Sequence, residues 1–253
     1  MIQRLSAIVT FATLFLALAV AQNSVPYTRD EVATLKKKLV NALNALGQPP
    51  AGYAQEREDF NLPTDASKRQ ESGLFYPAYG SAHRTFGSDK SAKKSEKDLE
   101  KEYQKKIAEA QAKGDYMAMS KIAQEMQQKA GQMQLKNMEA KKEPIEISIN
   151  MNSGGGEAID PDGVLLEKAG VIALKEKGDG SEDKSRVRIF FDHINLRETK
   201  QLSKVDMKMP EKGVSSKTAV YNITIELNGP TADVEAWAKR IETGKVLSQI
   251  DAK

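Results

Sequence analysis

Ser153-Gly154-Gly155-Gly156-Glu157 is the stretch that most resembles a phosphate loop. Such a loop cradles phosphate oxygens with backbone N–H groups. It also needs a lysine, a hydroxyl after it, and a helix opening behind. The lysine and hydroxyl are missing here and no helical period follows, so the stretch reads as a turn. Asp160-Pro161-Asp162-Gly163 resembles a fragment of a calcium loop. An EF-hand loop closes with a bidentate glutamate at its twelfth position, and counting from Asp160 that position is Val171. A proline-stiffened turn is the better account. Asp179, Glu182 and Asp183 read as a solvated hairpin tip, and the sequon Asn222-Ile223-Thr224 falls in mid-strand.

There are two histidines, His83 and His193. His193 follows Asp192 directly, so on a strand the two side chains point to opposite faces. There is no cysteine, hence no disulfide and no thiolate metal site. No histidine pair at helical spacing, no GxSxG elbow and no Walker A loop is present. The expectation is a chain without metal or cofactor that is not an enzyme. An enzyme built from scattered carboxylates is the reading that spacing alone leaves open.

What the sequence offers in place of catalytic sets is apolar side chains in unusual places. Five of the nine methionines lie between Met117 and Met138. Methionine is flexible and polarizable and recurs on surfaces that accept varied apolar partners. Met119, Ile122, Met126 and Met133 fall at spacings of three and four, one face of a helix. They are the candidate contact residues for a protein partner, a second copy of the chain included. A plain helix–helix interface explains the same stripe. The alternative is a carrier of an apolar small molecule held between a sheet and the last helix, with Phe190, Tyr221 and Trp237 lining the cavity.

Helices and strands must position these groups. Ser95 to Lys142 is a run of helix formers interrupted at Lys113-Gly114-Asp115. Leu99, Tyr103, Ile107 and Ala110 make one narrow stripe, and Met119 to Met133 a second. Glycine ends a helix readily and aspartate caps the next, so the spacing predicts an αα-hairpin, with one long bent helix as the alternative. The seam is too short for a strict coiled coil.

Upstream, Thr28-Arg29-Asp30-Glu31 has the form of a capping box. Val32, Leu35, Leu39, Val40, Leu43 and Leu46 then share a helical face, stopped by Gly47 and Pro49-Pro50. Residues 48–94 are broken repeatedly by proline and glycine. They are expected to have little regular structure and to be pinned near Phe75-Tyr76-Pro77-Ala78-Tyr79-Gly80. Downstream the period becomes two. Ile145 to Met151, Val171 to Lys175, Arg186 to Phe191, Val205 to Met209 and Ala219 to Leu227 read as strands. Thr231 begins a last helix with Val234, Trp237, Ala238 and Ile241 on one face.

The expected organisation is a leader at 1–21 and an amphipathic helix with an aromatic loop segment at 22–94. The helical segment occupies 95–142, and an antiparallel sheet domain with a C-terminal helix packed on it occupies 143–253. The fold class is α+β. At the N-terminus, Arg4 precedes the apolar run Leu5 to Val20, and Ala19-Val20-Ala21 gives a signal-peptidase site. Cleavage after Ala21 places the protein in the periplasm or outside the cell, without a stable membrane span. A secreted chain free of cysteine suits a bacterial envelope. The net charge is +3, from 38 basic and 35 acidic residues well mixed. Without a basic stripe, no nucleic-acid partner is expected.

Overall fold

The structure, a computed structural model, describes residues 24–89, 93–139, 142–177, 183–193, 196, 203–207 and 209–251. The expected leader at 1–21 and its cleavage site lie outside the described residues. In chain order the strands are β1 (Ser24–Pro26), β2 (Tyr53–Asn61), β3 (Asp65–Ser67), β4 (Gly80–Ser88), β5 (Ile145–Met151), β6 (Gly155–Ala158), β7 (Val164–Lys168), β8 (Val171–Lys177), β9 (Lys184–Phe191), β10 (Lys204–Met207) and β11 (Ile223–Pro230). The helices are α1 (Arg29–Asn44), α2 (Lys93–Ala112), α3 (Tyr116–Glu139), α4 (Thr231–Ala238) and α5 (Thr243–Leu247). The fold is mixed α+β.

Seven strands form one antiparallel sheet in the order β2-β4-β5-β11-β9-β8-β7. Strict alternation builds its core face. Ile145, Ile147, Ile149 and Met151 of β5 face inward beside Ile223, Ile225 and Leu227 of β11, all buried. Against them lie Leu35, Leu39 and Leu43 of α1 and Val234, Trp237 and Ala238 of α4. Burying each such leucine contributes about 1.5–3 kcal/mol by transfer from water. The capping box starts α1 as its sequence requires: Thr28 N–H donates to Glu31 at 2.8 Å and Glu31 N–H to the Thr28 hydroxyl at 3.2 Å. The outward face of β8 and β9 carries a second, smaller apolar cluster. Ile172, Leu174 and Phe190 pack there against Leu196, Val205 and Met207, beneath the two-stranded β6–β10 sheet.

Three expectations require correction. Residues 48–94 are not largely irregular, and the sheet is not confined to 143–253. β2 and β4, nine residues each, pair with one another, and β4 pairs with β5. Their inward positions hide the period. Gly80 and Ala82 stand where larger residues would be expected, because a Cβ on Gly80 would lie 3.0 Å from Met151 Cε. Arg84 takes another inward position and is held by Glu58 on β2. On β2 the register shifts between Gln55 and Arg57, which breaks alternation outright. The glycine run is likewise not just a turn. Gly155 and Gly156 begin β6, and a Cβ on Gly156 would come within 2.7 Å of the Val205 carbonyl on β10.

Candidate functional site

β4 and β5 are neighbouring antiparallel strands, with Phe86 opposite Ile145. A short turn could join them. Instead the connection carries α2 and α3, and its base is clamped. Lys142 N–H donates to the Ser88 hydroxyl at 2.7 Å. Lys142 Nζ donates to the Ala51 carbonyl at 2.8 Å and sits 4.5 Å above the Tyr53 ring. It also lies 3.7 Å from Asp233, which accepts the Tyr53 hydroxyl at 3.0 Å. Burial, and then the Asp233 carboxylate, push the Tyr53 phenol well above its ordinary range. The neck therefore ties the helical segment to the start of β2 and to the first turn of α4.

Beyond the neck, α2 and α3 pack on one another. Tyr103 of α2 is only 1% exposed. Its ring has Lys106 of its own helix at 5.0 Å and Lys129 of α3 at 5.7 Å. Ala110 is buried as well. Met119, Ile122 and Met126 are half-buried, so much of that stripe is spent within the protein. The side chain of Met133 lies outside the described residues.

Two residues account for the break between the helices. Gly114 has φ +68°, which a glycine adopts at no steric cost. Asp115 then accepts the Ala118 N–H at 2.9 Å and caps α3. Immediately after come Tyr116, 78% exposed, and Met117, 86% exposed. They are the most exposed large apolar side chains among the described residues. Sequence reasoning passed over this pair because it lies off the helical stripe. The signal was there in an aromatic and a methionine placed directly after a Gly-Asp turn.

Phe190, Tyr221 and Trp237 are not brought together. Trp237 fills the main core, edge-on to Phe86 with ring centroids 5.0 Å apart, and its indole N–H donates to the Leu46 carbonyl at 2.8 Å. Tyr221 is partly buried against that same core. Phe190 belongs to the second cluster, on the opposite face of the sheet.

The chemically capable side chains are engaged in structural contacts. His83 lies on β4 with Nδ1 3.2 Å from the Ser148 hydroxyl and Nε2 3.3 Å from the Thr85 hydroxyl. His193 Nε2 is 3.1 Å from the Leu247 carbonyl. Asp160 accepts the Asp162 N–H at 3.1 Å and opens a single 3-10 turn. Asn222 of the sequon is fully buried. The strongest charged network is on the outward face of the sheet. Arg188 donates to Glu157 at 2.7 Å and to Glu226 at 3.0 Å, and Arg186 Nε donates to Glu176 at 2.7 Å. Among the described residues, no three His, Cys, Asp or Glu side chains converge to hold a metal ion. Among them, too, no helix is long and apolar enough to cross a membrane. No family model, no curated protein and no solved structure matches this chain.

Proposed function

We propose that this chain is an exported, non-catalytic binding protein of the bacterial envelope that engages a protein partner through its helical hairpin. The sheet with α1 and α4 is the stable body. The neck at Ser88 and Lys142 fixes the base of the hairpin, and the turn at Gly114 displays its contact residues. The observation that carries this reading is the exposure of Tyr116 and Met117. Ordering a tyrosine costs little entropy for the area it buries. Met119, Ile122 and Met126 support the tip from the seam and add what surface the facing helix leaves open. Export rests on Arg4, the apolar run Leu5 to Val20, and Ala19-Val20-Ala21.

A carrier of an apolar small molecule is the weaker alternative on this geometry. Phe190 lies on the opposite face of the sheet from Tyr221 and Trp237, and Trp237 is in close contact with Phe86 and Leu46. Copurification from envelope extracts together with sizing of the purified protein separates a foreign partner from a second copy. Tyr116→Ser with Met117→Ser should abolish one or the other. Unchanged partner recovery and unchanged size would remove the proposal.

A further inference from the structure

The outward face of the sheet is polar along β4, β5 and β11, and it is polar in an uncommon way. Ser81, Asn150 and Thr224 are direct cross-strand neighbours and form one row. His83 and Ser148 form the next, with Thr85 beside them. All alternate with core residues such as Ala82, Ile149 and Ile225, so they point away from α1 and α4. The first row, which Asn61 of β2 extends, carries no charge, whereas the second is bounded by Asp59 on β2 and Glu226 on β11, and Thr85 lies between Arg57 and Glu146.

Tyr79 stands beside this patch with its side chain 50% exposed, and its hydroxyl donates to Asn150 Oδ1 at 2.8 Å. That bond fixes the amide and leaves the Asn150 NH2 donors without a partner among the described residues. The Ser81 hydroxyl has none there either. The patch thus combines preset hydrogen-bonding groups with an accessible aromatic ring.

We propose that this face, centred on Ser81, Ser148 and Asn150 with Tyr79 beside it, binds a neutral polysaccharide chain. Sugar hydroxyls both donate and accept, and the Ser81 hydroxyl and the Asn150 amide together answer both needs. The C–H face of a sugar ring is apolar and packs on the electron-rich face of an aromatic ring. Neighbouring strands lie about 4.8 Å apart, so the groups repeat on the scale of a sugar ring. A protein partner would call for an apolar centre, and a nucleic acid for lysine and arginine. The patch has no apolar centre, and the carboxylates of Asp59, Glu146 and Glu226 at its border oppose a polyanion. This site is separate from the hairpin, and neither reading depends on the other.

Titration calorimetry of the full chain tests the site, with hexasaccharides of glucose and of N-acetylglucosamine as neutral probes and an alginate hexasaccharide as the anionic one. Saturable binding to a neutral probe is expected, unaffected by added sodium chloride. It should weaken about tenfold or more in Tyr79→Ala and in Asn150→Ala. Tyr79→Phe keeps the ring and should retain most of the affinity, which separates a binding loss from a folding loss. Absence of binding to both neutral probes overturns the proposal. So does binding unaltered in the Tyr79→Ala and Asn150→Ala variants, or binding to alginate alone that salt abolishes.

Discussion

Lys142 donates its backbone N–H to the Ser88 hydroxyl at 2.7 Å, which closes the neck between the end of β4 and the approach to β5. The same lysine reaches the Ala51 carbonyl, the Tyr53 ring and, more loosely, Asp233. An insertion of two helices is thereby anchored to three separate parts of the sheet body.

Lys142→Met keeps the aliphatic stem and removes those polar contacts. It should cost about 1–2 kcal/mol, a hydrogen bond and a cation–π contact at a partly exposed site. Amide exchange at 51–53 and near 88 should quicken, while exchange in β11 stays unchanged. Equal acceleration throughout the sheet would mean that the lysine supports the whole fold and not the neck.

Trp237 is the single tryptophan, and its indole N–H satisfies the Leu46 carbonyl inside the core. Trp237→Phe should cost about 1–3 kcal/mol in urea unfolding, the penalty for a buried carbonyl left unpaired. Its fluorescence should not respond to fatty acids or other apolar ligands. A saturable response would revive the carrier.

Asn152 adopts φ 53° and its side chain ties three segments together. Nδ2 donates to the carbonyls of Ala78 and Ala219, both at 2.8 Å, and Oδ1 accepts the Tyr221 N–H at 2.7 Å. Asn152→Gly tolerates the backbone but loses all three bonds, and about 2–4 kcal/mol should go with them. A stability change within about 0.5 kcal/mol, the range of an inert surface site, would show that water replaces the amide.

How much of this was legible depends on where the physics is local. α1 was readable because its cap, its leucine spacing and its glycine stop all lie within one segment. The break between α2 and α3 was readable from Gly114 and Asp115 for the same reason. β5, β9 and β11 were readable because each buries branched or aromatic residues at every second position. β2 and β4 were not, since Gly80 and Ala82 suit the close packing around Met151, and Arg84 suits a partner on another strand. Candidate sites fared less well. Stripe residues such as Met119 and Ile122 mark a helix interface as readily as a docking surface, and only three-dimensional exposure singles out Tyr116 and Met117. The outward row Ser81, Asn150 and Thr224 is assembled from strands far apart in sequence, so no spacing could announce it.

Burial, and then the neighbouring Glu176 carboxyl, hold the Glu157 carboxyl above its ordinary range, although Arg188 pulls the other way. A carboxyl raised in the folded state binds more protons folded than unfolded between its two values. Stability from this group therefore falls as pH rises through that window. Glu157→Gln does not titrate, so its stability relative to the parent should increase on going from about pH 4 to about pH 7. Urea unfolding at several pH values measures the difference. A constant offset would mean that Glu157 titrates alike in both states.

Photocrosslinking in intact cells tests partner docking by the segment after Gly114 most directly. A photoreactive residue at Met117, 86% exposed beyond the Gly114 turn, is compared with one at Lys168, an exposed position on edge strand β7. The expected result is a discrete adduct of defined mass from position 117 that is absent from position 168. No adduct at 117, or the same diffuse pattern from both positions, would contradict partner docking by the tip.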